Sequence, residues 1–167
     1  MSRAVVALGA NLGDRVRALQ SAVDALASAG KLTAVSGVYQ TAPVGGPPQP
    51  DYCNAVVLLD TALSAMELLD LAHAIEQAAG RERLERWGPR TLDVDIIAYD
   101  DVASDDPVLT LPHPRAHERG FVLAPWAEVA PDATLPGRGR VVDLLANVDT
   151  AGVRRMDDAR LTLPGVG

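Results

Sequence analysis

Cysteine is almost absent from the 167-residue sequence: Cys53 stands alone, so no disulfide can form within the chain. The fold therefore does not require an oxidising compartment. Long apolar runs are also missing, because no stretch approaches the roughly 20 apolar residues of a membrane span. The short apolar run after Met1 meets Gly9 too early for a signal-peptide core. We expect a cytoplasmic protein that folds as one domain over residues 1–167.

Positive charge is scarce as well. The formal net charge is −7, which argues against nucleic acid as a partner, because polyanions bind surfaces with an excess of Lys and Arg. Lys31 is the only lysine, so nearly every positive charge is an arginine. Four of the arginines fall in the stretch RERLERWGPR, residues 81–90, beside only two glutamates. This arginine-rich stretch is therefore net positive within an acidic chain.

The order of apolar patterns predicts a mixed α/β fold. Branched and aromatic residues predict strands over residues 3–8, 32–41, 52–59 and 92–99. Helical spacing and end signals predict helices from Asp14 to near Gly30, from Ser64 to Ala79 with a stop at Gly80, and from Phe121 to Val129. The order strand, helix, strand, strand, helix, strand is typical of ferredoxin-like folds, with helices packed on a mainly antiparallel sheet. Residues after Asp132 show no clear pattern and receive no assignment.

Two acidic residues, Asp93 and Asp95, alternate with apolar ones in the last predicted strand. Strand side chains alternate between faces, so both carboxylates project from one face while Val94 and Ile96 enter the core. Adjacent carboxylates repel each other unless a positive charge lies between them. Magnesium held by one or two carboxylates and by substrate phosphates meets that requirement. The alternative is a half-solvated strand with acids on its wet face, which this short pattern does not exclude by itself.

The arginine-rich stretch immediately precedes this acidic pair. It offers planar guanidinium groups suited to phosphate oxygens, from Arg81, Arg83, Arg86 and Arg90. Together with a metal on the acids, they indicate a phosphoryl-transfer site, and Gly88-Pro89 adds a bend typical of a lid that closes on substrate. The alternative is an exposed segment whose arginines and glutamates pair with one another. No G-x-x-x-x-G-K-[ST] motif occurs in the sequence, so a P-loop kinase is excluded.

Another basic segment, HPRAHER at residues 113–119, precedes Gly120 and Phe121. Its histidines and arginines are suited to contact nucleotide phosphates from the opposite side. A lone histidine is more often structural or simply solvated, and we give His73 that interpretation. For His113, the company of Arg119 favours a function.

Five segments together resemble the 6-hydroxymethyl-7,8-dihydropterin pyrophosphokinase family. They are, in chain order, ALGANLGD, YQTAPVGGPPQPDYCNAVV, IEQAAGRERLERWGPR, GPRTLDVDI and LPHPRAHERGFVLAPW. The resemblance spans roughly residues 4 to 132, with the segments in the family's order and spacing. It implies a three-layer α-β-α arrangement with a ferredoxin-like core, in agreement with the order of elements.

The resemblance also implies roles for individual residues. Asp93 and Asp95 would bind two magnesium ions that bridge ATP and the pterin hydroxyl, and Arg81 and Arg90 would act on the phosphates as catalytic residues. The nucleotide side would consist of Glu76, Arg83, Trp87, Thr110, His113 and Arg119. The pterin ring would lie between two aromatic rings and be read at its edge by hydrogen bonds, through Tyr52, Phe121, Thr41, Pro43, Val44 and Asn54.

The implied reaction is attack of the pterin hydroxymethyl oxygen on the β-phosphorus of ATP, with AMP leaving. The product would be a pterin diphosphate of folate biosynthesis, and we expect the enzyme to be a monomer. Two other function classes stay open. A non-catalytic ferredoxin-like module that senses a small ligand would not need paired acids beside an arginine lid. A metal-dependent phosphohydrolase would use the acids but would have no need for ring stacking between Tyr52 and Phe121.

Overall fold

A computed structural model of the protein describes residues 1–11, 13–42, 51–83 and 92–164. For residues 81–83 it describes the backbone alone. These residues form a six-stranded sheet, a separate two-stranded hairpin and four α-helices. The strands are β1 Ser2–Ala10, β2 Gly30–Val35, β3 Val38–Thr41, β4 Tyr52–Thr61, β5 Asp93–Tyr99, β6 Thr134–Leu135, β7 Gly139–Arg140 and β8 Val153–Met156. The helices are α1 Arg15–Leu26, α2 Ala65–Arg83, α3 Gly120–Val129 and α4 Val141–Ala146.

The large sheet is antiparallel throughout, in the order β5-β1-β4-β3-β8. β2 pairs with β4 next to β3, so β2 and β3 together fill one strand position. With that pair counted once, the first four positions have the strand order of a ferredoxin-like fold. The predicted fold class is confirmed.

Helices cover both faces of the sheet and give the three-layer arrangement. On one face, alternate side chains of β1 such as Val6 and Leu8 pack with Leu19 of α1 and Leu68 of α2. On the other face, a second cluster joins Val5, Val56 and Ile97 of the strands to α3 and α4. Its largest member, Trp126 of α3, is 2% exposed. The sheet therefore separates two apolar cores.

The predicted starts of α1 and α2 are confirmed by their hydrogen bonds. Asp14 Oδ1 accepts from Arg17 N at 3.1 Å and caps α1. At α2, Ser64 and Glu67 form the predicted capping box: Ser64 N donates to Glu67 Oε1 at 2.8 Å, and Glu67 N donates to Ser64 Oγ at 3.1 Å. α1 ends at Leu26, and a short 3-10 turn leads from it into β2.

The predicted stop of α2 at Gly80 is wrong, because the helix continues through it to Arg83. Gly80 does not have the positive φ of a helix-ending glycine, and a Cβ there would meet nothing within 4 Å. A helical glycine costs about 1 kcal/mol relative to alanine. That penalty is too small to end a helix whose Leu68 and Ala72 are packed in the core.

The predicted strand over residues 32–41 is interrupted at Ser36 and Gly37, between β2 and β3. Ser36 N donates to Val56 O, and Ser36 Oγ accepts from Val56 N, both at 3.0 Å. A side-chain oxygen thus replaces a carbonyl in the ladder. At Gly37 the Arg155 guanidinium packs over the backbone, so that a Cβ there would lie 2.6 Å from Arg155 Nε and would require the arginine side chain to move.

The C-terminal part, which the sequence left unassigned, completes the sheet. β8 pairs with β3, so that Val38 faces Met156 and Thr41 faces Val153. This pairing places the residues just before β8 next to the start of α3. Within the described part of the chain, no helix has the length and apolar character needed to cross a membrane.

Candidate active site

A cavity of about 960 Å³ opens on the α3 face of the sheet. It lies at the end of the sheet where β1 carries the small residues Ala7 and Gly9 on that face. Further along the same face, Val5 and its neighbours fill the space beneath α3. The lining consists of Ala7, Leu8, Gly9, Thr41, Ala42, Tyr52, Asn54, Asp93, Asp95, Arg115, Glu118, Arg119, Gly120, Phe121, Val122, Asp149, Gly152 and Val153.

Gly9 lies at the floor of the cavity, between two of the predicted site residues. It pairs with Asn54 of β4 on one side and with Asp93 of β5 on the other. A Cβ at Gly9 would lie 3.2 Å from Asn54 Oδ1, closer than an ordinary van der Waals contact. The absence of a side chain therefore keeps the floor open between the amide and the acid.

Asp93 and Asp95 project into the cavity from β5, as the alternation predicted. Both are half-exposed, whereas Val94 and Ile96 are 3% and 4% exposed in the opposite core. Among the described residues, no group of three or more His, Cys, Asp or Glu side chains comes together. A divalent cation at this pair would draw its other oxygen ligands from substrate and water, which is the usual mode of magnesium at phosphates. The pair fits such an ion.

Tyr52, Asn54 and Thr41 form the wall of the cavity built by β3 and β4. Asn54 is 5% exposed, and its Nδ2 donates to Thr41 Oγ1 at 2.9 Å. Tyr52 begins β4 and is half-buried. The structure thus brings three of the residues predicted for ring binding together beside the acids.

Arg119 and Phe121 form the opposite wall, at the start of α3. The guanidinium carbon of Arg119 lies 5.6 Å from the centroid of the Phe121 ring, within the range of a cation–π contact. Asp93 and Asp95 line the same cavity. A cation, an aromatic ring and two carboxylates therefore share one cavity.

His113 is close to this site without lining the cavity. Its backbone N donates to Ile97 O at 2.8 Å, which ties it to β5, and its Nδ1 accepts from Arg115 N at 3.2 Å. Burial lowers the pKa of His113, and Arg119 and Arg115 lower it further, against the opposing effect of the Asp95 carboxylate. The neutral imidazole, with Nδ1 as the acceptor, carries its proton on Nε2 and can donate from there.

Glu76 and Thr110, both predicted for the nucleotide side, do not line the cavity either. Glu76 Oε2 accepts from the backbone N of Val94 at 2.8 Å, so the side chain reaches from α2 to β5. Thr110 Oγ1 donates to Asp106 O at 3.0 Å within its own loop. Six other predicted site residues lie outside the described side chains: Pro43, Val44, Arg81, Arg83, Trp87 and Arg90.

Several cavity residues received no individual role from the sequence. Arg115 and Glu118 belong to the basic segment that was singled out, and their side chains form an exposed pair with 3.8 Å between Nε and Oε2. Asp149, Gly152 and Val153 had no local signal. They reach the cavity because β8 pairs with β3 and because Gly120 lets them approach: a Cβ at Gly120 would lie 3.2 Å from Thr150 Cγ2.

Comparison with known proteins gives a consistent result. Residues 5–131 match the family model for 7,8-dihydro-6-hydroxymethylpterin-pyrophosphokinase (HPPK). Two relatives bear the name 2-amino-4-hydroxy-6-hydroxymethyldihydropteridine pyrophosphokinase. The protein from Methylorubrum extorquens is 42% identical, over 94% of this chain and 100% of its own. The protein from Mycobacterium tuberculosis strain H37Rv is 44% identical, over 98% of this chain and 92% of its own.

Solved structures with the same fold include that of wild-type Plasmodium falciparum HPPK-DHPS with pteroate. It has a TM-score of 0.71 and 12% sequence identity over 87% of this chain. The chain spans only 44% of that protein. At this identity, the likeness establishes the fold alone.

Proposed function

The chain belongs to the 7,8-dihydro-6-hydroxymethylpterin pyrophosphokinase family, and from that premise we propose that the cavity beneath α3 is where it carries out the family's reaction. The protein transfers diphosphate from ATP to 6-hydroxymethyl-7,8-dihydropterin, giving AMP and the pterin diphosphate, in folate biosynthesis. The observation that carries the location is that the two β5 carboxylates, Arg119 and two aromatic rings line one cavity. The cavity has the size expected of a small-molecule site.

The pterin binds between Tyr52 and Phe121, whose rings belong to opposite walls of the cavity. Flat heteroaromatic rings gain both apolar burial and stacking from such a pair. The edge of the ring hydrogen-bonds to Asn54, whose amide is held by Thr41. In this pose the hydroxymethyl group faces Asp93 and Asp95. Pro43 and Val44 remain predicted contacts of the same edge.

Asp93 and Asp95 would hold magnesium, in the form of two ions shared with the phosphates of ATP. Support comes from their common face on β5 and from the lack of a third acidic ligand among the described residues, which leaves coordination positions for phosphate oxygens. When bound, the magnesium would neutralise charge on the phosphates and polarise the attacking hydroxyl.

Arg119 and His113 bind the phosphates of the nucleotide. Arg119 presents a planar donor fork at the cavity wall, and His113 in its neutral form has an Nε2 proton to donate. Arg81, Arg83, Trp87 and Arg90 complete the nucleotide side as predictions from the sequence. Closure of the arginine-rich stretch over the phosphates would exclude water, which would otherwise compete for ATP.

In the reaction, the hydroxymethyl oxygen forms a bond to the β-phosphorus while the bond from that phosphorus to the α,β-bridging oxygen breaks. AMP leaves with the bridging oxygen, and the hydroxyl proton is released. No covalent enzyme intermediate is required. The chain's own residues contribute by position and charge: two rings fix the acceptor, and the arginines stabilise the phosphates as charge shifts towards AMP.

The chain acts as a single-domain monomer in the cytoplasm. The lone cysteine, buried and free, is consistent with a reducing compartment. Light scattering on an eluting size-exclusion peak measures the mass directly, and a dimer mass contradicts the monomer.

The decisive experiment mixes the protein with ATP, magnesium and 6-hydroxymethyl-7,8-dihydropterin and separates the nucleotides by chromatography. We expect AMP that appears only when the pterin is present, together with an equal amount of pterin diphosphate. Formation of ADP or free phosphate without pterin would instead indicate a phosphohydrolase, and binding without turnover would indicate a ligand sensor. Omitting magnesium and adding a chelator tests the metal requirement in the same assay.

A further inference from the structure

The peptide group between the two cavity acids is held from outside the sheet. Val94 lies between Asp93 and Asp95, and its backbone N donates to Glu76 Oε2 at 2.8 Å. The Val94 side chain packs in the opposite core and is 3% exposed. The contact with Glu76 is therefore made by the β5 backbone, at the residue that lies between the two acids.

Such a contact is needed because β5 is an edge strand. In the described sheet it pairs only with β1, so alternate backbone groups of β5 point away from the ladder. An N–H left without an acceptor at a part-buried position destabilises the folded state. Glu76 supplies the missing acceptor, and an ionised acceptor makes a stronger hydrogen bond than a neutral carbonyl.

The packing of α2 sets the position of Glu76. Its neighbour Ile75 is buried against the same core as Val94 and is 8% exposed. Glu76 follows at the border between that core and solvent, where its side chain reaches the edge of β5. Because α2 is held by its packing, the hydrogen bond from Val94 N to Glu76 holds β5 in a fixed position relative to α2.

We propose that Glu76 is a positioning residue for Asp93 and Asp95: it fixes the β5 backbone at Val94 and so sets the direction of both carboxylates towards the metal and phosphates. The inference rests on the proposed function of this cavity. It changes the role that the sequence assigned to Glu76, which was a contact on the nucleotide side. Groups that orient metal ligands in this way commonly change metal affinity or activity by about 10- to 100-fold when removed.

The test compares Glu76→Ala, Glu76→Gln and the control Gln77→Ala, which alters the exposed neighbouring position on α2. Hydrogen exchange of the Val94 amide, followed by NMR without ligands, reports the hydrogen bond itself. We expect Glu76→Ala to speed this exchange at least about 10-fold and to lower kcat about 10- to 100-fold. It should also raise the magnesium concentration for half-maximal rate, with the KM for pterin unchanged.

Glu76→Gln keeps an acceptor oxygen and should restore most of the protection at Val94 and most of the activity, whereas Gln77→Ala should match the wild type. Unchanged exchange at Val94 in Glu76→Ala, with a raised KM for ATP alone, would mean a direct nucleotide contact and overturn the proposal. A loss of melting temperature with kcat and magnesium dependence unchanged would overturn it as well. Absence of transfer by the wild type would refute the proposed function. The exchange rates would still show whether Glu76 forms the hydrogen bond with the Val94 amide.

Discussion

The side-chain amide of Asn54 donates to Thr41 Oγ1 at 2.9 Å, linking β4 to β3 in the wall of the cavity. Because Nδ2 is engaged by the threonine, the orientation of the amide is set, and Oδ1 is directed to the side of Gly9. Thr41 thus determines which polar atom Asn54 presents to a ligand.

Replacing Thr41 with valine keeps the shape of the side chain and removes the acceptor. We expect Thr41→Val to weaken pterin binding about 10-fold, equivalent to ~1.4 kcal/mol, because the Asn54 amide loses its fixed orientation. Titration calorimetry with the pterin measures the change. Thr33→Val, on β2 outside the cavity lining, is the matched control and should bind like the wild type. Equal affinity of the two variants would contradict the role of Thr41.

The capping box at the start of α2 gives a prediction about stability alone. Ser64→Ala leaves Glu67 N without its side-chain acceptor, and we expect a loss of about 1 kcal/mol in the free energy of unfolding. Urea denaturation measures it, and kcat for the transfer should not change. Ser28→Ala, which removes an exposed hydroxyl bonded to Ala25 O, serves as the control with a smaller effect. A loss no greater than that of the control would show that the box contributes little.

The capping box could be predicted from the sequence for a physical reason, and the same reason explains why other predictions from the sequence were wrong. Ser64 and Glu67 act within one turn, so their pattern is visible in the sequence, and the alternation of Asp93 with Val94 is equally local. The helix stop predicted at Gly80 was wrong, because the small cost of a glycine within a helix is outweighed by tertiary packing of α2. That packing is not visible in the local sequence. The break at Ser36 was invisible, because it depends on a hydrogen bond to Val56 in another strand.

The same distinction separates the cavity residues that were found from those that were missed. Tyr52, Asn54 and Phe121 were assigned through long motifs of the family resemblance. Asp149 and Val153 lie after residue 131, where the match to the family model ends. They enter the cavity through the pairing of Thr41 with Val153, which no local pattern predicts.

A network outside the cavity predicts a change of stability at alkaline pH. Glu128 of α3 accepts from Tyr39 OH at 2.9 Å and from Gly37 N, and thus joins α3 to β3. Burial, with the hydrogen bond to Glu128, raises the pKa of Tyr39 from 10.0 to about 12. A raised pKa means that the neutral phenol is favoured in the folded state. Its stabilising effect is complete below pH 10 and is lost as the pH rises through about 12.

We therefore expect Tyr39→Phe to lower the free energy of unfolding by about 1 kcal/mol at pH 8. The difference from the wild type should shrink as the pH rises from 10 towards about 12, where Tyr39 itself ionises. Urea denaturation of both proteins across this range measures it. A difference that stays constant over the range would show that the pKa of Tyr39 is not raised in the folded protein.

The two cavity acids should affect chemistry without affecting the fold. We expect Asp95→Ala to reduce transfer at least about 100-fold, because a half-exposed carboxylate adds little to packing whereas a metal ligand is indispensable. Asp93→Ala should behave similarly. Asp101→Ala, at an exposed turn after β5, is the control with normal activity. Retention of most activity at saturating magnesium would contradict metal binding by the pair, and a sharply lowered melting temperature without ligand would make the pair structural.

The arginine-rich stretch provides the clearest separation between binding and catalysis. Arg81 and Arg90 are at its two ends in the sequence, on either side of the Gly88-Pro89 pair. If the stretch closes over the phosphates, these contacts are made mainly in the complex that resembles the transition state. An interaction made only there lowers the barrier without tightening ground-state binding, so its loss should appear in kcat.

We expect Arg90→Ala to lower kcat about 100-fold or more, of order 3 kcal/mol, as for the loss of one preorganised charge donor. Pterin affinity should change little, because the proposed ring contacts are Tyr52, Asn54 and Phe121, which line the cavity apart from this stretch. Single-turnover transfer from the pre-bound complex isolates the chemical step, and equilibrium titration of the pterin measures binding. Arg138→Ala, at an exposed turn outside the cavity lining, is the control. Strongly weakened pterin binding in Arg90→Ala, with single-turnover transfer near the wild-type rate, would show that Arg90 acts in the ground state and not in the closed complex.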